Sequence, residues 1–194
     1  MDANYCFTST LVFMRIVGGE FGGRRFNPPA KIPARPTTEV AKEGLFNILN
    51  NMLDFEGLKT CDIFGGTGSI SYELASRGAI DLTLIERDPT SIRFIKETSK
   101  TLGILDKMHI IQGDVFTFIK QCQDAYDFIF AGPPYALETI DDIPRLIFEK
   151  NMLTAEGFFV LEHTPRNDYQ QDPNFIKMKN YGTTVFSFFS PPQP

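Results

Sequence analysis

The chain has 194 residues, a net charge of −5 and 42% hydrophobic residues, so it can form one folded domain, and a disordered chain is excluded. The acidic balance argues against a protein that binds nucleic acid over its whole surface, because phosphates are neutralised by Lys and Arg. Three widely spaced cysteines without a Cys-x-x-Cys pair predict no disulfide framework and no metal site, and they fit a reducing, cytoplasmic setting. No apolar run has the length of a membrane span.

Two segments precede the regular pattern of the chain. Residues 1–13 carry an apolar patch but no basic start, so a secretory signal is not indicated and we expect an unstructured extension. Residues 14–37 are rich in glycine, and residues 15–17 and 24–26 predict a small β-hairpin. This basic arm has a local charge of +4, because Glu20 is outweighed by Arg15, Arg24, Arg25, Lys31 and Arg35. Such a cluster is typical of a nucleic-acid contact, and it equally suits a solvated surface arm.

Residues 38–190 are expected to form one domain in which helices and strands alternate. A helix capped by Thr37 or Thr38 is predicted first, ending before Gly57. Strands are predicted over residues 60–64, 81–86, 108–112, 126–130, 158–162, 175–180 and 183–189. The helices between them are predicted over residues 69–77, 89–102, 115–121 and 143–150. Repeated β-α-β units predict an α/β fold with a doubly wound, mostly parallel sheet, and the last two strands predict an antiparallel edge hairpin.

Because ligands bind such sheets at the carboxyl ends of the strands, the residues there are candidates for the site. The first strand ends in a glycine-rich segment whose candidate cofactor ligands are Asp62, Phe64, Gly65, Gly66 and Gly68. Glycines allow a sharp turn and a close approach of the backbone to a ligand, but a simple βα turn has the same need. A dinucleotide-binding loop would carry a third glycine where Ser71 stands. A carboxylate at Asp62 would repel a pyrophosphate, whereas it can accept from the ammonium group of S-adenosylmethionine.

Acids also stand at the ends of the next two strands. Glu86 lies 20 positions after Gly66, and a carboxylate at this spacing can accept from both hydroxyls of a ribose. A surface role is the alternative for this residue. Asp114 follows the third strand, where it can accept from the adenine amino group or cap the next helix. The residues next to these acids, Arg87 and Val115, are included in the expected cofactor site.

The fourth strand leads into the most specific segment of the chain, which reads Gly132-Pro133-Pro134-Tyr135. Two prolines fix φ and remove two backbone donors, so the loop is stiff and its carbonyls can accept from a base amine. The ring of Tyr135 can stack on a base that has been flipped out of a helix. These four residues are therefore the candidate catalytic loop of an enzyme that modifies a base amine.

Further segments add to these motifs. They are MRIVGG at 14–19, GRRF at 23–26, RPTT at 35–38, LFN at 45–47, DIFGGTG at 62–68, SRGA at 76–79 and EH at 162–163. With them the chain resembles the bacterial 16S ribosomal RNA guanine-N2 methyltransferases of the RsmD type, which act on the guanine at rRNA position 966. The resemblance covers residues 14–189, nearly the whole expected domain.

The resemblance implies a Rossmann-like methyltransferase sheet and direct methyl transfer to the N2 amine of a guanine. It implies that S-adenosylmethionine is held by Asp62, Gly66, Gly68, Glu86 and Asp114. It places the RNA side of the site at Arg15, Arg24, Arg25, Arg35 and Thr37. The expected partner is 16S ribosomal RNA or the small ribosomal subunit, and the expected protein is a monomer without a metal or a membrane anchor.

One position departs from the family, which reads Asp-Pro-Pro-Tyr where this chain has Gly132. The missing carboxylate would accept a hydrogen bond from the target amine, a contact worth about 1.5–3 kcal/mol or roughly 10- to 150-fold in rate. A slow enzyme, an enzyme with another acceptor, and a non-catalytic RNA-binding or assembly protein all fit this change. A DNA adenine-N6 methyltransferase would share the pocket, but 194 residues leave little room for a target-recognition region.

Overall fold

The computed structural model describes residues 13–32 and 37–192 of the 194-residue chain. Its strands are β1 (Met14–Arg15), β2 (Arg25–Phe26), β3 (Lys59–Asp62), β4 (Asp81–Glu86), β5 (Met108–Gln112), β6 (Tyr126–Ala131), β7 (Leu153–His163), β8 (Phe175–Tyr181) and β9 (Thr184–Phe189). Its α-helices are α1 (Glu39–Leu49), α2 (Ser69–Ser76), α3 (Pro89–Leu102), α4 (Val115–Gln121) and α5 (Asp142–Glu149). The extension predicted for residues 1–13 lies outside the described residues except for Phe13, and the predicted RNA contact Arg35 lies outside them too.

Within the described ranges, seven strands form the main sheet, in the order β5-β4-β3-β6-β7-β9-β8. The five strands from β5 to β7 run parallel, and β9 is antiparallel to both of its neighbours. The strand order reverses between β3 and β6, so the carboxyl ends of these two strands flank the topological switch point, where ligands bind such sheets. The prediction of a doubly wound, mostly parallel sheet with an antiparallel edge hairpin is confirmed.

Helices cover both faces of the sheet because its inner strands are apolar on both sides. Along β6, Phe128 and Phe130 belong to one core and Ile129 to the other, as the two-residue period of a strand requires. The first core takes side chains from the first three helices, including Leu45, Tyr72 and Ile95. The second core takes side chains from the last two helices, including Ile119 and Ile147.

Local hydrogen bonds set the ends of α1. Thr38 caps the helix by accepting from the Ala41 N–H at 3.2 Å. The helix ends at Leu49, before Gly57 as predicted, because the chain turns there and the Leu53 N–H donates back to the Leu49 carbonyl at 2.9 Å. Strand β7 in turn is longer than the predicted range 158–162, since it pairs with β6 on one side and β9 on the other.

The predicted N-terminal hairpin is present, with β1 antiparallel to β2. The loop between the two strands docks on the end of α2, where the Ser76 carbonyl accepts from the Glu20 N–H at 2.7 Å and the Ser76 hydroxyl donates to the Gly18 carbonyl at 2.6 Å. Gly19 has a φ of +74°, and a Cβ on it would lie 1.9 Å from the Ser76 carbonyl oxygen. Only glycine permits this approach, so the glycine at position 19 is explained by packing of the arm against α2.

A buried charged network joins the basic arm to α1 and α2. Lys42 Nζ lies 3.1 Å from Glu73 Oε1 and also donates to the Arg15 carbonyl and to Ser69 Oγ, while Arg77 pairs with the other Glu73 oxygen. Burial lowers the pKa of Lys42, and the Glu73 carboxylate opposes that shift. Removing one partner from a buried ion pair costs about 3–5 kcal/mol, so this network holds the arm in a defined position beside the first residue of α2.

Candidate active site

A cavity of about 430 Å³ opens at the carboxyl ends of the parallel strands. The predicted site residues that line it are Thr37, Asp62, Phe64, Gly65, Gly66, Glu86, Arg87, Asp114, Val115, Gly132, Pro133, Pro134 and Tyr135. Gly68 stands behind this lining, where its φ of +80° turns the chain into α2 and a Cβ would lie 2.5 Å from the Tyr72 hydroxyl. The fold therefore gathers the glycine-rich loop, the predicted acids and the Pro-Pro loop around one space.

Asp62 ends β3 and is only 2% exposed. The Ser71 hydroxyl donates to its Oδ2 at 3.3 Å, while Oδ1 is buried with no hydrogen-bond partner among the described residues. Burial raises the pKa of Asp62 to about 7, the Ser71 hydroxyl and the nearby Phe64 N–H oppose this, and the charges of Glu86 and Glu162 raise it further. A cation placed beside Oδ1 would offset the burial and restore the charged carboxylate.

Glu86 ends β4 and reaches across to the glycine-rich loop. Its Oε2 accepts from the Gly66 N–H at 2.8 Å, and its Oε1 accepts from the N–H groups of Arg87 and Asp88, also at 2.8 Å. These bonds fix the carboxylate and shape the loop, so Glu86 is more than a surface residue. Oε1 already accepts from two N–H groups, whereas Oε2 accepts from one, so the second lone pair of Oε2 leaves capacity for one ligand hydroxyl.

Asp114 has the capping role that was the alternative to a ligand contact. Its Oδ1 accepts from the N–H and the hydroxyl of Thr117, at 2.9 Å and 3.1 Å, and so caps α4. The same residue lines the cavity beside Val115 and Phe116. Because the cap uses Oδ1, the geometry is compatible with both roles.

The Pro-Pro loop is anchored at both ends. Pro133 is buried, and the Pro134 carbonyl accepts from the Leu137 N–H at 2.9 Å, so this carbonyl already has a partner within the loop. The Tyr135 hydroxyl donates to Glu162 Oε1 at 3.0 Å and lies 3.0 Å from the hydroxyl of Thr184. These contacts hold the half-buried Tyr135 ring at the wall of the cavity.

Glu162 also lines the cavity, although it was not among the predicted site residues. It lies near the end of β7, is 6% exposed, and its Oε2 accepts from the Thr37 hydroxyl at 2.6 Å. Strands β6 and β7 pair in parallel with Ala131 opposite Leu161, so the next residues, Gly132 and Glu162, are neighbours across the two strands. Its place near a strand end, which it shares with the other acids of the site, is the signal that could have identified it.

Three of the predicted RNA-binding arginines, Arg15, Arg24 and Arg25, are described by the structure and do not line the cavity. Arg15 pairs with Glu39 at 3.3 Å, whereas Arg24 and Arg25 are exposed and the Arg24 guanidinium lies 5.3 Å above the Phe21 ring. Thr37, by contrast, lines the cavity and bonds to Glu162. The structure thus separates an exposed basic surface on the arm from the enclosed pocket.

Among residues 13–32 and 37–192, no three or more His, Cys, Asp or Glu side chains are grouped so as to hold a metal ion. No helix in the described part of the chain combines the length and the apolar content needed to cross a membrane.

Comparison with known proteins places this geometry in a family. The model of the family described as conserved hypothetical protein 95 matches residues 14–190. The chain is 31% identical over 182 residues to YlbH of Bacillus subtilis, a candidate rRNA methyltransferase, covering 91% of this chain and 98% of that protein. It is 27% identical over 154 residues to ribosomal RNA small subunit methyltransferase D of Escherichia coli, covering 79% of this chain and 76% of that protein.

The fold agrees with this relationship. The solved structure of yhhF, a candidate methyltransferase from Escherichia coli, superposes with a TM-score of 0.81 over 94% of this chain and 100% of that chain, at 23% identity. At that identity the structure supports the fold alone, and the family model supplies the assignment. The chain therefore belongs to the RsmD family of methyltransferases, described by its family model as conserved hypothetical protein 95.

Proposed function

We propose that this chain transfers a methyl group from S-adenosylmethionine to the exocyclic N2 amine of a guanine in 16S ribosomal RNA. The observation that carries the proposal is the cavity in which Asp62, Glu86 and Asp114 face the same space as Pro133 and Tyr135. A methyl donor and an acceptor base could therefore bind side by side in one cavity. Membership of the RsmD family supports the reaction class, and the name of the Escherichia coli relative supports small-subunit ribosomal RNA as the substrate.

The residues of the cavity fit S-adenosylmethionine. The buried Asp62 Oδ1 without a partner among the described residues suits the ammonium of the methionine part, and a cation there offsets the burial that raises the Asp62 pKa. Glu86 and Asp114 both line the cavity, where Glu86 would accept from a ribose hydroxyl and Asp114 would accept from the adenine amino group. Gly66 has a φ of +53°, which lets the loop turn beside the ligand.

The Pro-Pro loop suits a flat base with an amine at its edge. The Tyr135 ring, held by its hydroxyl, would stack on a flipped guanine, and the Pro133 carbonyl would accept one hydrogen of the amine. The nitrogen lone pair forms a bond to the methyl carbon while the carbon–sulfur bond breaks and its electron pair stays on sulfur. The nitrogen then releases one proton. Most of the acceleration comes from alignment of the two reactants, because the sulfonium is already a good leaving group.

The basic arm supplies positive charge to a chain that is acidic overall. The chain as a whole has a net charge of −5, yet Arg24 and Arg25 are exposed on the docked hairpin. Phosphate contacts from such a patch give affinity and orientation without reading sequence. The target base is selected in the cavity instead, by the shape of the pocket and by the acceptors for the amine.

Transfer of a labelled methyl group tests the proposal. The chain is incubated with labelled S-adenosylmethionine and with small ribosomal subunits from a strain that lacks the modification, deproteinised 16S RNA, or duplex DNA. We expect label in the ribosomal RNA and none in the DNA. Label in the DNA would favour the adenine-N6 alternative. Cofactor binding without transfer to any substrate would favour a non-catalytic RNA-binding protein and contradict the proposal.

A further inference from the structure

We propose that Glu162 supplies the carboxylate that accepts from the target amine, in place of the acid that is absent at Gly132. The inference rests on the proposed function, since it assigns a catalytic residue to the same cavity. It also explains how a chain with a glycine at the first position of its Pro-Pro loop can retain an acidic acceptor at the point of transfer.

The first argument is position. The register of β6 and β7 makes Gly132 and Glu162 neighbours across the two strands. A Cβ built on Gly132 would lie 3.8 Å from Glu162 Oε2. The carboxylate of an aspartate at position 132 would begin one carbon further out, so Glu162 already brings a carboxylate oxygen to the region that such a side chain would serve. Both residues line the cavity beside Pro133.

The second argument is orientation. Thr37 donates to Oε2 at 2.6 Å and Tyr135 donates to Oε1 at 3.0 Å, so each carboxylate oxygen has a fixed direction. The side chain is 6% exposed, which protects the carboxylate from competing water. Two O–H donors stabilise its negative charge at that depth. The same tyrosine that is placed to stack on the base therefore also positions the acceptor for its amine.

The chemical step then balances within the pocket. As the nitrogen bonds to the methyl carbon, positive charge develops on the amine, and the Glu162 carboxylate stabilises it and takes the released proton. The electron pair of the broken carbon–sulfur bond stays on sulfur. A charge-assisted bond to the reacting nitrogen grows stronger as this charge develops, so its effect falls on kcat rather than on KM.

A consequence concerns the family residue at position 132. An aspartate introduced there would stand close to Glu162, and two neighbouring carboxylates resist being ionised together. Its Cβ would also lie 3.0 Å from Phe130 Cε1, so the ring, which lines the cavity, must move by a few tenths of an ångström. We therefore expect Gly132→Asp to bring no gain while Glu162 is present, and a clear gain once Glu162 is neutral.

Four proteins test this pairing: the unchanged chain, Glu162→Gln, Gly132→Asp and the double variant. Methyl transfer to small ribosomal subunits that lack the modification gives kcat and KM, and calorimetry with S-adenosylhomocysteine reports the folded cofactor site. We expect Glu162→Gln to lower kcat roughly 10- to 150-fold, with KM and cofactor affinity within about threefold of the unchanged chain. We expect the double variant to regain at least about tenfold of that loss.

The matched control is Glu156→Gln, the same substitution at an exposed glutamate of β7, which should leave kcat unchanged. Full activity of Glu162→Gln would overturn the proposal. So would a loss that the added aspartate does not restore, because this result assigns Glu162 a structural role. If only Gly132→Asp is active, Glu162 is not the acceptor although the proposed function holds. If both the unchanged chain and Gly132→Asp are inactive, the proposed function itself fails.

Discussion

The pH dependence of stability should reveal the buried acid of the cavity, Asp62. Asp62 has an ordinary pKa of 3.8, which burial raises to about 7 in the folded chain. Because the folded pKa is the higher one, the folded state binds the proton more tightly, and this residue destabilises the fold as pH rises. Between these two pKa values, each rise of one pH unit lowers the free energy of unfolding by about 1.4 kcal/mol. Above pH 7 the total loss levels off at about 4 kcal/mol.

Asp62→Asn removes this titration while keeping the shape of the side chain. Between pH 5.5 and pH 8.0 we expect the free energy of unfolding of the unchanged chain to fall by about 2 kcal/mol more than that of Asp62→Asn. Urea denaturation of both proteins at several pH values measures this difference, in which contributions from other groups cancel. Asp106→Asn, at an exposed aspartate, is the control and should run parallel to the unchanged chain. Parallel curves for Asp62→Asn would refute the argument.

The same residue should make cofactor binding depend on pH. An ammonium group binds the ionised carboxylate, so affinity for S-adenosylhomocysteine should fall about tenfold per pH unit below pH 7 and level off above it. Asp62→Asn loses a charge-assisted hydrogen bond, which predicts roughly 10- to 150-fold weaker binding at pH 8. Its affinity should also be nearly independent of pH. Calorimetry between pH 6 and pH 8 measures both, and a flat profile for the unchanged chain would remove Asp62 from the ammonium site.

Two further predictions concern the basic arm. Gly19→Ala should weaken RNA binding but not cofactor binding, because its Cβ would lie 1.9 Å from the Ser76 carbonyl oxygen and displace the docked hairpin. The control is Gly23→Ala, since Gly23 also has a positive φ, of +84°, but a Cβ there would have no neighbour within 4 Å. Comparing the two variants separates the steric clash from backbone strain. Equal RNA affinities of the two variants would contradict the docking argument. Arg24→Ala combined with Arg25→Ala should reduce the slope of log affinity against log salt by up to about 2. An unchanged slope in a filter-binding salt series would take both arginines out of the interface.

The sheet and most of its elements follow from local pattern. Strand β4 and helix α3 have the predicted bounds. The strand is a short, mainly apolar segment, and the helix is bounded by an Asp88 cap and by Gly103 just past its end, so each signal lies next to the element that it delimits. The strand ends that line the cavity follow from the topology that these elements predict. For α1 the sequence predicts only an end before Gly57, since Met52 continues the helical spacing while the chain has already turned after Leu49.

The pairings that complete the site are long-range and have no local signal. Thr37 and Glu162 are 125 positions apart, and their hydrogen bond depends on which strand lies beside β6. The ion pair of Lys42 and Glu73 is equally hard to predict, because charged residues on helices are usually solvent-exposed and only the packing of the two helices buries this pair. Hence the sequence predicts which strand ends line the cavity, but not that Glu162 lies beside Gly132 or how the arm is held against the helices.

The identity of the methylated nucleoside tests the central claim most directly. Ribosomal RNA labelled by the unchanged chain is digested to nucleosides, and the labelled product is identified by mass spectrometry against standards. The proposed function predicts that the label lies in N2-methylguanosine. Label in N6-methyladenosine, or no label although S-adenosylmethionine is bound, would contradict the account.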